Sequence, residues 1–397
     1  MSKSLNLSQK RIQSIDLLRG LVMIIMALDH TRDFFHQQAF TGDPLDLATT
    51  TPALYFTRWI THFCAPVFVF LSGTSIFLQG KRKTKNELSA FLFKRGLWLI
   101  FIELFIIGFA WTFDITFKVF VLQVIWAIGI SMVLMGLIIR LPFKLILAVG
   151  LMIVLGHNAF DSVRSTQQGF MWDLVRNGDF ATHALGGGYQ LVIIYPFLPW
   201  LGLMMLGYCL GKLYVPSFDA VKRKKILIRT GLGLLLFFVL LRYANVYGDP
   251  RPWSSQKDGL FTFLSFINVH KYPPSLLYMC ITIGFALIFL SLIENTVNRI
   301  TKVIIVYGRV PFFYYVLHFY ILHILCMILF VARGHAFGEA TPDIFGIPFH
   351  FMIAGEGYSL GIVYLIWIGI VIALFPVCKW YDNYKTAHKE KKWLSYL

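Results

Sequence analysis

FTRWITHFCAPVFVFLSGTSIFLQGKRKTK, residues 56–85, is the stretch on which the fold class turns. From Phe56 to Gln79 it holds no acid, and its basic side chains, Arg58 and His62, lie near the start. It then ends on Lys81, Arg82, Lys83 and Lys85. A helix needs ~20 mostly apolar residues to cross the ~30 Å hydrocarbon layer of a bilayer, and excess Lys and Arg mark its cytoplasmic end. Working outward, nine further apolar runs follow the same rule, at 15–35, 90–112, 118–139, 142–157, 190–214, 225–244, 273–293, 303–332 and 357–379.

Every second connection between these runs is basic. Lys10 and Arg11 precede the first; Arg140 and Lys144, Lys222 to Lys225, and Arg299 and Lys302 lie between later ones; Lys385, Lys389 and Lys391 follow the last. The intervening, longer connections mix signs and hold Asp43, Asp46, Asp161, Asp173, Asp179 and Asp249. The alternation runs through the whole chain. It predicts an all-α integral membrane protein, a bundle of about ten transmembrane helices with both termini cytoplasmic, in a single domain over residues 1–397. Composition agrees: 57% of residues are hydrophobic, only 14% are charged, and mean hydropathy is +0.67. A soluble chain could not hide so much apolar surface. The net charge of +16 would suggest nucleic acid in a soluble protein, but here it sits in the short connections, so a lipid bilayer is the expected partner and nucleic acid is not. The five cysteines are scattered through apolar runs without paired spacing and read as small hydrophobes. Gly207 and Gly211, in GYCLG, have the spacing of closely packed membrane helices.

Ionisable groups at membrane depth are costly and point to function. Asp16 to His30 covers ~21 Å of helix, less than the hydrocarbon core, so Asp16 and Arg19 at one end and Asp29, His30, Arg32 and Asp33 at the other are drawn to membrane level. His62, near the outer end of the second run, is expected at the depth of His30. Two histidines and a carboxylate at one level can make a general base with its orienting partner. No two of His30, His36 and His62 have the i, i+4 spacing of a helical zinc pair, so no metal is expected. Glu103 lies about 12 Å into the membrane past Arg95. His318 falls near mid-depth, and His323 lies roughly 140° around the helix from it. His318 is the better functional candidate. At the inner ends, Arg19, Arg95 and Arg309, with Lys81 and Arg82, could meet phosphates.

RIQSIDLLRGLVMIIMALDH (residues 11–30), THFCAPVFVFLSGTSIFLQG (61–80), YPFLPWLGLMMLGYCLGKLY (195–214) and VYGRVPFFYYVLHFYILH (306–323) together resemble the membrane acetyltransferases related to heparan-α-glucosaminide N-acetyltransferase, and more closely their bacterial branch. The resemblance spans nearly the whole chain. It implies a multi-pass enzyme of a bacterial cytoplasmic (inner) membrane. Such an enzyme moves an acyl group from cytosolic acetyl-CoA, or another acyl-CoA, to an extracytoplasmic sugar or glycan acceptor. Arg19 and Gly20 match the family's first-helix motif, and His30 occupies its outer-end polar position. LDHTRDFFHQQAF (28–40) replaces the family's glycine-rich turn, which argues against the same acceptor.

The expected mechanism follows from this layout. Arg19, Arg95, Arg309, Lys81 and Arg82 bind the nucleotide at the inner face. His30 acts as base on the acceptor, oriented by Asp29 or Asp33 and assisted by His36 or His62, with direct transfer and a route through an acyl-histidine both open. The competing reading is a proton-coupled transporter or flippase for a polar solute or lipid-linked sugar, its cavity lined by His30, Glu103 and His318. A homodimer stays open on either reading.

Overall fold

The computed structural model describes residues 12–163, 169–294, 296, 298–339, 343–344, 346–353 and 355–395. Lys10 and Arg11 of the basic series lie outside the described residues. The chain is mostly helical. Its main helices are α1 (Gln13–Phe35), α2 (Pro52–Gly80), α3 (Lys85–Phe101), α4 (Val124–Ile138), α5 (Phe143–Phe160), α6 (Phe197–Tyr214), α7 (Ala220–Ala244), α8 (Leu276–Leu292), α9 (Arg299–Arg309), α10 (Pro311–Ala332) and α11 (Leu360–Ala387). Helix α3 continues through a π turn, Ile102–Ile107, into Gly108–Thr112. Six of these helices, α2, α5, α6, α7, α10 and α11, are long and apolar enough to cross a membrane by length and composition.

Local chemistry sets the helix starts. Thr84 and Glu87 form a reciprocal capping box before α3, Thr51 accepts the Leu54 N–H ahead of Pro52, and Ser275 accepts the Tyr278 N–H at α8. The ninth apolar run, expected as one helix over 303–332, is two. Pro311 has no N–H, and its ring pushes Val310 out of the helical region (φ −126°, ψ 45°), so α9 stops and α10 begins.

A second departure concerns the all-α expectation. The runs beginning at 118 and 190 open as strands, β1 (Val119–Leu122) and β3 (Tyr189–Ile193), with β2 (Ala181–Gly186) completing a sheet in the order β1-β3-β2. β1 pairs parallel to β3, and β2 antiparallel to it across a turn in which Gly186, Gly187 and Gly188 all have positive φ. Short apolar runs do not separate strand from helix by periodicity. The β-branched and aromatic VFVL and YQLVI favour the strand.

The bundle is apolar on its outer faces as well as in its core. The apolar stretch of α2 is 67% buried and sits at the centre, whereas that of α7 is 22% buried and that of α11 17%. Leu232, Leu236 and Leu240 on α7, and Leu365 and Ile372 on α11, stand exposed in columns. Surfaces of this size and apolarity call for lipid or protein contact.

Several helix pairs meet backbone to backbone, α2 with α6 and α1 with α9 most closely. A Cβ on Gly207 of α6 would overlap the Phe70 carbonyl of α2, and one on Gly308 of α9 would overlap the Asp16 carbonyl of α1. Gly211 rests on the Phe77 side chain. Absence of a side chain is what allows these approaches.

Contacts divide the connections into two sets. Lys85 reaches the Arg140 carbonyl, Arg223 pairs with Glu294, and Arg309 with Asp382, all among the basic connections or the helix ends beside them. The other set is tied by Gln37 to Tyr358, Asn268 to Leu45 and His350 to Thr112.

Candidate active site

The last polar turn of α1, the start of α2 and the 268–272 connection enclose a cavity of about 860 Å³. Asp29, His30, Asp33 and His36 come from the first, Arg58 and His62 from the second, and His270, Lys271 and Tyr272 from the third. Tyr315 of α10, Trp111, Phe40 and Phe349 close it with aromatic faces. All four histidine and aspartate positions expected to do chemistry, His30, Asp29, His36 and His62, line this one space, with Asp33 beside them.

Their bonding differs from the expectation. The sequence assigns Asp29 or Asp33 to orient His30. Instead, Asp29 accepts from Arg32 at 3.0 Å and pairs with Arg58, while Asp33 accepts from Arg32 at 2.5 Å. With guanidinium on both of its oxygens, Asp29 fixes the α1–α2 junction. The orienting partner of His30 is His318. The two rings meet at 2.7 Å, His30 Nδ1 to His318 Nε2.

The proton positions in this pair follow from what lies beyond it. His318 Nδ1 is 3.0 Å from the Tyr314 carbonyl oxygen, which can only accept. His318 Nδ1 therefore carries the hydrogen, and in the neutral ring its Nε2 is an acceptor. His30 must donate from Nδ1, which leaves His30 Nε2 as an unshared lone pair. That atom has no hydrogen-bond partner among the described residues. Phe319, 4.1 Å between ring centroids, and the edge of Trp111, at 5.5 Å, hold the imidazole in place. A carbonyl, an orienting imidazole and a second imidazole with a free Nε2 make a general base by the logic of a catalytic triad.

The other histidines are arranged differently. His36 accepts the Gln38 N–H at Nδ1, so its neutral ring carries hydrogen on Nε2 and offers a donor. His62 is 2% exposed, and neither ring nitrogen has a partner among the described residues. His323 is tied to the carbonyls of Ala110 and His350, a structural brace. His270, in the 268–272 connection, is pushed down to about 4 by burial and by Arg251, so it is neutral near pH 7.

Glu103 lies away from this cavity. The transport reading has it line a cavity with His30 and His318, but neither it nor His318 is in the lining of this one. Glu103 is 1% exposed and accepts the Trp126 N–H at 2.8 Å, in the first turn of α4. It satisfies a helix start that has no side-chain cap of its own. Glu103→Gln, which keeps an acceptor oxygen, is expected to retain stability and turnover. Glu103→Ala should lose about 1–3 kcal/mol of stability with unchanged turnover per folded molecule. Thermal unfolding in detergent, alongside activity, checks both.

The inner cations fall into two groups. Arg19 bonds Asp16 at 3.2 Å, the Gly308 carbonyl at 3.1 Å and Ser75 at 3.3 Å. Arg309 reaches Asp382 at 3.2 Å and Asp16 at 3.9 Å, so the two guanidiniums share one carboxylate. Lys81 lies over the Phe77 ring, Arg82 is exposed and Arg95 half-buried. None of these lines the outer cavity, whose innermost α1 residue is Met26. Sequence reasoning did not find Arg58, Lys271 or Tyr272 as site residues. Lys271 and Tyr272 lie in a connection with no periodic signal, and Arg58 read only as an end marker.

The model of a family described as Heparan-alpha-glucosaminide N-acetyltransferase, catalytic, matches residues 11–240, more than half of the chain. No curated protein matches it.

Proposed function

Because the chain belongs to the heparan-α-glucosaminide N-acetyltransferase catalytic family, we propose that it is a transmembrane acyltransferase that carries an acetyl or other acyl group from cytosolic acyl-CoA to a sugar or glycan on the opposite face. The single observation that carries this reading is His30 Nε2, a lone pair held by His318 and opening on a cavity of about 860 Å³, large enough for a sugar. In this reading about ten helices span a bacterial cytoplasmic membrane, the basic connections and both termini are cytoplasmic, and the cavity opens outward.

The nucleotide end of acyl-CoA is assigned to Arg19, Arg95, Arg309, Lys81 and Arg82. The pantetheine arm then runs outward along α1, past Arg19 toward Met26, and brings the thioester to His30. His30 Nε2 takes the proton of the acceptor hydroxyl or amine as the oxygen or nitrogen bonds to the thioester carbonyl carbon. When the tetrahedral intermediate collapses, the C–S bond breaks and the thiolate takes the proton back from Nε2–H. The balance is acyl thioester plus acceptor giving ester or amide plus CoA thiol. His318 accepts from His30 Nδ1–H throughout and stabilises the imidazolium when it forms.

His318 is thus a positioning residue. His318→Ala should lower kcat by about 10–100-fold with little change in KM, because the base loses its fixed tautomer. His318→Gln, which offers an acceptor oxygen, should recover part of the loss. The double variant with His30→Ala should be no slower than His30→Ala alone, since the two rings act as one unit. Steady-state kinetics on purified protein resolves all three.

Labelled acetyl-CoA added to inside-out or right-side-out vesicles tests the reaction itself. Label on an extracytoplasmic glycan, formed only when the basic face meets acetyl-CoA, supports it. Solute movement without acyl transfer would return the chain to the transport reading.

A further inference from the structure

The buried part of the outer cavity holds one more cation than it holds carboxylates. Asp29 and Asp33 are matched by Arg58 and Arg32 through the contacts above. Lys271 is 8% exposed, lines the same wall and has no carboxylate within ion-pair distance among the described residues. Its neighbour is Tyr272, whose ring centre is 5.0 Å from Nζ and whose hydroxyl is 3.5 Å from Arg58 Nη2. His62 lines the cavity too, buried with both nitrogens unpartnered.

The remaining charges do not neutralise Lys271. Asp43, Asp46, Asp179 and Arg251 are exposed at the mouth, and Asp43 and Asp46 bond the N–H groups of Leu45 and Ala48 in their own loop. His270 and His36 add no negative charge. Lys271, bonded to the Tyr272 hydroxyl but to no carboxylate, stands beside a buried imidazole without a hydrogen bond, and an anionic ligand in the cavity would complete both.

We infer that Lys271, Arg58 and His62 form a subsite for an anionic oxygen group, a carboxylate or a phosphodiester, carried by the acceptor. This rests on the outer cavity being the acceptor site. An anion accepts from the Lys271 ammonium and from a His62 N–H, and such charge-assisted bonds are about twice as strong as neutral ones. Arg58 contributes its field while its nitrogen stays on Asp29. Since Asp29 and His30 are consecutive on α1, an acidic residue anchored here is held beside the base. The acceptor is therefore an acidic glycan or a sugar bearing phosphate.

The test uses the full-length protein in phosphatidylcholine nanodiscs, with binding followed by thermal shift and needing no turnover. The probes are methyl glucuronoside, glucose 1-phosphate and methyl glucoside. At least one anionic sugar should bind about tenfold or more tightly than the neutral one, with the preference weakened by salt. Lys271→Gln should abolish the preference and Lys271→Arg should keep it. Which anion binds separates carboxylate from phosphate. A parallel set of discs containing phosphatidylglycerol asks whether a lipid headgroup supplies the anion. Loss of the glucuronoside shift in those discs, in wild type and Lys271→Arg alike, assigns the subsite to headgroup phosphate and overturns the acceptor assignment. Equal response to charged and neutral sugars, or an unchanged preference in Lys271→Gln, overturns the subsite. The transferase reading fails separately, if anions bind as stated but no acyl transfer occurs in wild type.

Discussion

Replacing His30 with alanine lowers acyl transfer by about 10²–10⁴-fold while the protein remains folded; this is the range lost when a positioned general base is removed. Two features make His30 the position of choice among the outer histidines. Its Nε2 is the ring nitrogen left with an unshared lone pair by a chain of bonds that starts at the Tyr314 carbonyl, whereas His36 turns a donor outward. It also faces open cavity on one side and packed aromatic rings on the other. The substitution removes contacts with Phe319 and Trp111 and leaves His318 Nε2 without its donor, but water can enter from the cavity. Stability should therefore fall little. The measurement is labelled acetyl transfer per folded molecule, with the thermal midpoint taken on the same sample. Wild-type turnover in this variant would remove His30 from the chemistry, whatever the family of the chain.

Much of this site was legible one helix at a time and illegible between helices. Counting 1.5 Å per residue put His30 and His62 at a common level, and the structure places both on one cavity wall. The bond between His30 and His318 could not be read, because it depends on the rotational phase of α1 against α10. That phase is fixed by tertiary packing, not by either sequence. The same holds for Asp29, whose nearest partner in sequence is His30 but whose bonds go to Arg32 and Arg58. Glu103 shows the reverse error. A buried acid looked functional by depth alone, yet its carboxylate meets the start of α4. Of the fold, the ten apolar runs each contain a helix, and the break at Val310–Pro311 follows from local chemistry that was present in the residues. The strands at 119–122 and 189–193 did not stand out, since four or five apolar residues suit either conformation.

Valine at Gly308 should prevent the protein from folding, a loss different in kind from that of His30→Ala. The Cβ of any residue at 308 would overlap the carbonyl oxygen of Asp16 and come within 2.7 Å of its carbon and 2.8 Å of the Gly20 nitrogen. Every one of these atoms is backbone, so no rotamer change relieves the clash. Gly20 faces the same junction from the other side, where its Cβ would overlap the Ile304 carbonyl. Relief requires α1 and α9 to separate, and separation breaks the Arg309–Asp16 contact and the bond from Arg19 to the Gly308 carbonyl. It also removes α1 from its packing against α10, on which the His30–His318 pair depends. Overpacking usually costs about 1–3 kcal/mol, and more where backbone must move. A loss above about 3 kcal/mol is expected here, seen as disappearance of the monodisperse species or a steep fall in the thermal midpoint. Gly233→Val on α7 is the control, because a Cβ there meets nothing within 4 Å. If Gly308→Val matched that control in midpoint and activity, the close approach of α1 and α9 would be wrong, and with it the alignment that brings the two imidazoles together.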